Sequence, residues 1–118
     1  MACTGHCLCT EINERRTNHG KAKLRIVNAG DLKECARKEA RKNRDECNMD
    51  HYFPDCFGGT SASIVCKSGG CEEMVNAWMD SAQHKAIILD GTWDKMAGAC
   101  FAGCGFEWGA VFFAADSA

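Results

Sequence analysis

From Asp31 onward the apolar side chains recur at helical spacing. Leu32, Cys35, Ala36 and Ala40 share one stripe, and charged residues fill the other faces. The pattern predicts a helix running to about Cys47, with Asp31 as N-cap and Glu34 at the third helical position. Between residues 33 and 44, Lys33, Arg37, Lys38, Arg41, Lys42 and Arg44 face only Glu34 and Glu39. This basic stripe reads as a solvated face, although it has the charge to hold anionic lipid headgroups or a polyanion. An earlier helix is predicted over TEINERRTNHG, with Thr10 as N-cap, Ile12 and Arg16 on one face, and Gly20 as its stop. Between the two helices, Leu24, Ile26 and Val27 can pin a connecting loop to the core.

Downstream the period changes. Pro54, Gly58, Gly59, Gly69 and Gly70 mark residues 48–70 as mainly loop, with a short strand near SASIV. CEEMVNAWM reads as a third helix, with Glu72 and Glu73 at its start and Val75, Trp78 and Met79 on its apolar face. SAQHKAIIL follows as a turn or short helix for which Ser81 is a suitable N-cap. Two strands, KMAGACFAG and FEWGAVFFA, meet at a tight glycine-containing turn. Alternation distributes Phe101, Phe106, Trp108, Phe112 and Phe113 over both faces of the sheet. Helices first and strands last make an α+β layout in which helices cover a small antiparallel sheet.

At 118 residues the chain makes one domain, 1–118, with a cysteine-rich N-terminal segment at 1–9. Its formal net charge of -2 sets up no field for nucleic acid, and no apolar run approaches the length of a membrane span. Ten cysteines change the picture: Cys3, Cys7, Cys9, Cys35, Cys47, Cys56, Cys66, Cys71, Cys100 and Cys104. An even number in a short chain reads as a disulfide framework of up to five bridges, made in an oxidising compartment. Zinc is the rival, but the cysteine spacings are loose and unmatched and no C-x2-C pair occurs. No basic segment followed by an apolar one precedes the cysteines, so the chain is expected to be a mature secreted form.

Ser81 and His84 stand at i and i+3, a candidate nucleophile and base, but no G-x-S-x-G elbow accompanies them. Trp78 reads as core, with a ligand-contacting role beside a cleft as its alternative. His6 and His19 are expected in solvent.

The order of motifs resembles the CAP superfamily of cysteine-rich secretory, antigen 5 and pathogenesis-related class 1 proteins. INERRTNHG is similar to its asparagine-then-arginine first helix, and DLKECARKEA to its second. The Asp50-His51 pair resembles the histidine that follows that helix. VNAWMDSAQHKAIIL resembles a W-x-x-S-x-x-H motif, and MAGACFAGCGFEWGAVFFA the closing strands. The resemblance implies a disulfide-stapled α-β-α sandwich with a ligand cleft built around His51, Trp78, Ser81 and His84. It also implies a metal site of two histidines and two acids. Here Gly59 and Ser81 stand where the acids are usual, leaving His51 and His84 as weak zinc ligands unless Asp50, Asp80 or Glu73 reaches in. The expected function is secreted, extracellular and non-catalytic. It is binding of a sterol, a fatty acid or a partner protein in host–microbe contact or defence. A serine-type hydrolase using Ser81 and His84, or a metal-dependent binder, is the alternative.

Overall fold

The computed structural model describes residues 3–116. Helix α1 (Gly5–Asn18) opens behind Thr4, whose hydroxyl accepts the Cys7 N–H at 3.0 Å. It therefore begins well before the expected cap at Thr10. The reason is that Leu8 and Cys9 extend the apolar face of Ile12 by one further turn, and all three are fully buried. Of the segment 1–9, residues 5–9 are thus helix, and residues 1 and 2 lie outside the described range. The helix stops where expected, with Gly20 at φ +74°.

Strand β1 (Arg25–Ile26) follows, then α2 (Asp31–Glu46). Here Gly30 is the N-cap, which moves Asp31 into the first turn, where its charge still complements the positive end of the helix dipole. The remaining elements are β2 (Ser61–Ser68), α3 (Cys71–Met79), α4 (Ala82–Leu89), β3 (Lys95–Gly103) and β4 (Phe106–Ala114). β2 is longer than the short strand expected near SASIV. The β3–β4 turn is Cys104-Gly105, with φ of 49° and 79°, the left-handed pair that a two-residue hairpin needs.

The sheet order is β1-β3-β4-β2, antiparallel throughout except for β1, which runs parallel to β3 at one edge. β4 is buried on both faces, so its sequence reads as a nearly continuous apolar run. On one face, Leu8, Ile12, Met74, Val75, Trp78 and Ile88 of α1, α3 and α4 meet Ile64, Met96, Val111 and Phe113. On the other, Leu32, Ala36 and Ala40 of α2 meet Val65, Ala97, Ala110 and Phe112. The result is an α-β-α sandwich. Neighbouring Phe112 and Phe113 serve opposite cores, as alternation requires. Each large side chain so buried stabilises by about 2–3 kcal/mol.

Small residues let the layers approach. A Cβ on Gly5 would lie 1.9 Å from the Gly98 carbonyl oxygen, so α1 sits directly on the backbone of β3. No described helix is long and apolar enough to cross a membrane.

Four bridges staple these layers: Cys3–Cys100, Cys7–Cys71, Cys35–Cys56 and Cys47–Cys104. Cys9 and Cys66 remain thiols, which corrects the expectation that all ten cysteines pair. Cys9 faces the Gly98 backbone inside the core, and burial pushes its thiol up to about 12 against the opposing charge of Lys33. Burial also raises the Cys66 thiol. Both behave as small apolar side chains.

Candidate functional site

His51 sits in the loop after α2, and two buried residues of that helix hold the loop. The Glu39 carboxylate is fully buried and accepts the backbone N–H groups of Tyr52 and Phe53 at 3.0 and 3.2 Å. Asn43 donates to the Asp50 carbonyl at 2.9 Å and accepts the Asp50 N–H at 2.8 Å. Glu39 therefore does not belong to the solvated stripe where the sequence pattern put it. The exposed His51 ring brings Nδ1 within 3.5 Å of Ser63 Oγ on β2.

His84 lies on α4, whose C-terminal end is tied down from two sides. Buried Arg16 of α1 donates to the carbonyls of Ile88 and Asp90 at 2.7 and 3.0 Å, and to Ala22 at 2.8 Å. Trp93 Nε1 donates to the Ile87 carbonyl at 2.8 Å. Asn13 exchanges two hydrogen bonds with the Leu24 backbone, fixing the chain that follows α1. The asparagine–arginine pattern of the first helix is thus explained by backbone carbonyls and amides that need partners.

Ser81 is the N-cap residue of α4, but its hydroxyl lies 2.8 Å from His84 Nδ1 and caps no backbone amide. Partial burial lowers the His84 pKa below its ordinary 6.5, and the charge of His51 lowers it further. Both influences favour the neutral form of the His84 ring.

The acids fail to join them. Gly59 has no side chain to offer. The Asp50 carboxylate accepts the His51 N–H, the Glu73 carboxylate accepts the Gly69 N–H, and Asp80 faces solvent. Among the described residues no three His, Cys, Asp or Glu side chains converge in a metal-holding group. Two imidazoles fall short of the three protein ligands a tight zinc site requires. The Ser81–His84 contact has the length of a nucleophile–base pair, yet among the described residues no carboxylate hydrogen-bonds the imidazole from its far side.

Trp78 is not a wall of this cleft. It is 2 % exposed, and its indole N–H donates to the Val65 carbonyl at 2.9 Å, which makes it core. His6 and His19 are exposed, as expected. Sequence reasoning missed Glu39 and Asn43; a lone acid four residues before an asparagine on a basic helix was the available signal.

Two cavities lie away from the histidines. One, of about 410 Å³, is bounded by Cys7, Cys71, Glu11, Glu72, Glu73 and Asn76. The other, of about 430 Å³, lies between α1 and the β1 edge, beside Glu14, Lys23 and Ile26. Both have charged rims.

The fold is similar to several solved structures. An outer surface protein of Borrelia burgdorferi superposes with a TM-score of 0.78 at 22% identity, over 93% of this chain and 90% of that one. Venom allergen-like protein 4 of Schistosoma mansoni gives 0.69 at 12%, over 93% and 85%. A cysteine-rich secretory protein of Staphylococcus aureus gives 0.70 at 16%, over 92% of this chain but 37% of its own. No curated protein matches the sequence. The family model for CAP, the cysteine-rich secretory protein family, matches residues 10–115, and the chain belongs to that family.

Proposed function

We propose that this domain is an extracellular, non-catalytic binding protein that recognises a partner protein in host–microbe contact or defence through the surface around His51 and His84. The observation that carries this reading is the make-up of the site. It has two imidazoles partnered by the hydroxyls of Ser63 and Ser81, with no converging carboxylate among the described residues. Such a site can donate and accept hydrogen bonds without metal or charge, as a protein interface does. Four bridges and a family whose description is secretory support an extracellular setting. A sterol or fatty acid is the less favoured ligand. An apolar molecule needs a largely apolar chamber, whereas Trp78 is packed into the core and the two cavities described above have charged rims. The hydrolase reading rests on the 2.8 Å Ser81–His84 contact alone.

The test is a binding screen of the oxidised domain against purified extracellular receptor domains, run beside a sterol and fatty-acid titration. The expected outcome is a protein partner whose affinity falls about tenfold or more on His51→Ala and on His84→Ala. Saturable sterol or fatty-acid binding abolished by the same substitutions would replace the protein partner with a lipid. Labelling of Ser81 by a fluorophosphonate would establish the hydrolase instead.

A further inference from the structure

The outer surface of α2, the turn end of the β3–β4 hairpin and the adjoining end of β2 carry cations that neither core nor the histidine site uses. Aromatic rings there lie beneath cations. Lys38 Nζ is 4.7 Å from the Phe53 centroid, and Lys42 Nζ is 5.8 Å from that of Tyr52. The Arg41 and Arg44 guanidinium groups stand 5.4 and 5.2 Å from Phe101. Lys67 Nζ is 5.0 Å from Phe106 and 5.6 Å from Trp108. Lys42 and Arg44 have carboxylate partners in Glu46 and Asp45. Among the described residues, Lys38, Arg41 and Lys67 form no ion pair.

The Cys47–Cys104 bridge ties the C-terminal end of α2 to the hairpin turn, with 5.9 Å between Cα atoms. Two residues beyond each half of that bridge stand Met49 and Phe106. These are the exposed large apolar side chains among the described residues, at 47% and 44%. One end of the molecule therefore combines unpaired cations with projecting apolar groups, on a chain whose formal net charge is -2.

We infer that this end docks on an anionic lipid bilayer. Phe106 and Met49 enter the boundary between headgroups and acyl chains, while Lys38, Arg41 and Lys67 meet headgroup phosphates and carboxylates. The pairing of cation with ring suits an interface, where the apolar body of each pair faces inward and the charge stays in water. A soluble polyanion would engage the cations and leave Phe106 and Met49 in water, so the bilayer uses more of what this surface presents. The excess negative charge on the rest of the chain turns this end toward the membrane. Two apolar side chains and three free cations make attachment reversible. Attachment at this end is independent of which ligand the histidine site takes.

The test uses the full oxidised chain with vesicles of phosphatidylcholine alone, or with about one-third phosphatidylserine. The chain is expected to co-sediment with the anionic vesicles only, and to be released as salt is raised to about 0.5 M. Arg41→Glu and Lys67→Glu should each weaken the partition about fivefold or more, and Phe106→Ser about tenfold, at an unchanged thermal midpoint. Phe106→Trp supplies a second readout: its emission should shift to the blue on anionic vesicles and be quenched by brominated acyl chains. No binding, equal binding to neutral vesicles, or indifference to these substitutions would overturn the proposal. So would binding to a sulfated polysaccharide that exceeds vesicle binding and ignores Phe106→Ser.

Discussion

Glu39 lies between lysines and arginines in sequence, yet its carboxylate is fully buried against the Tyr52 and Phe53 amides. A buried polar group needs partners that replace its lost water, and two backbone N–H groups supply them here. The same economy governs His84, where partial burial and the nearby His51 both disfavour protonation. The folded pKa therefore lies below the unfolded one, and between the two values the unfolded chain binds more protons. The stability conferred by neutral His84 is complete above about pH 6.5 and is lost as pH falls through that value toward the depressed one. His84→Gln should flatten the dependence of the denaturation midpoint on pH across that window. A proton-NMR titration should place the His84 ring below 6.5; a midpoint at or above that value would contradict the burial argument.

Elements carry the site because they are tied to one another by groups that hydrophobic patterning does not register. The second, third and fourth helices and the closing hairpin were legible in the sequence, since each has a period, a stop or a turn residue of its own. The start of α1 was not, because Cys7 and Cys9 read as bridge spacing when Cys9 is a helical core position. Strand β1 was missed because its two residues gain order only from pairing with β3. At the site, His51 and His84 were legible from motif order, while the packing of Trp78 outside the cleft needed the fold. Arg16 illustrates the tie between elements: it reaches from α1 to the last carbonyls of α4, over 72 residues of sequence. Arg16→Met keeps much of the buried stem and removes every donor. It should cost about 3 kcal/mol, with carbonyls of Ala22, Ile88 and Asp90 left without this partner. Amide exchange should quicken selectively in α4, and the His84 resonance should broaden. Uniform acceleration over the whole chain would show that Arg16 supports global stability alone.

For the whole molecule, the four bridges differ in how much chain they close. Cys3–Cys100 spans 97 residues, Cys7–Cys71 spans 64, Cys47–Cys104 spans 57 and Cys35–Cys56 spans 21. If each acts mainly by restricting the unfolded chain, its contribution grows with the logarithm of that span, to about 4.7 kcal/mol for the longest and about 3 kcal/mol for the shortest. The locations sharpen this ranking. Cys3–Cys100 and Cys7–Cys71 hold α1 to the sheet and to α3, where apolar packing is already dense, whereas Cys35–Cys56 ties α2 to the irregular stretch that follows His51. Replacing both cysteines of one bridge by serine should therefore give two kinds of loss. The Cys3/Cys100 variant should lose more global stability in urea than the Cys35/Cys56 variant, by about 1 to 2 kcal/mol. The Cys35/Cys56 variant should instead show its largest effect locally, as rapid proteolysis within residues 48–60 while the sheet amides stay protected. Equal losses in urea from the two variants would mean that native packing, and not the unfolded chain, sets what each bridge contributes.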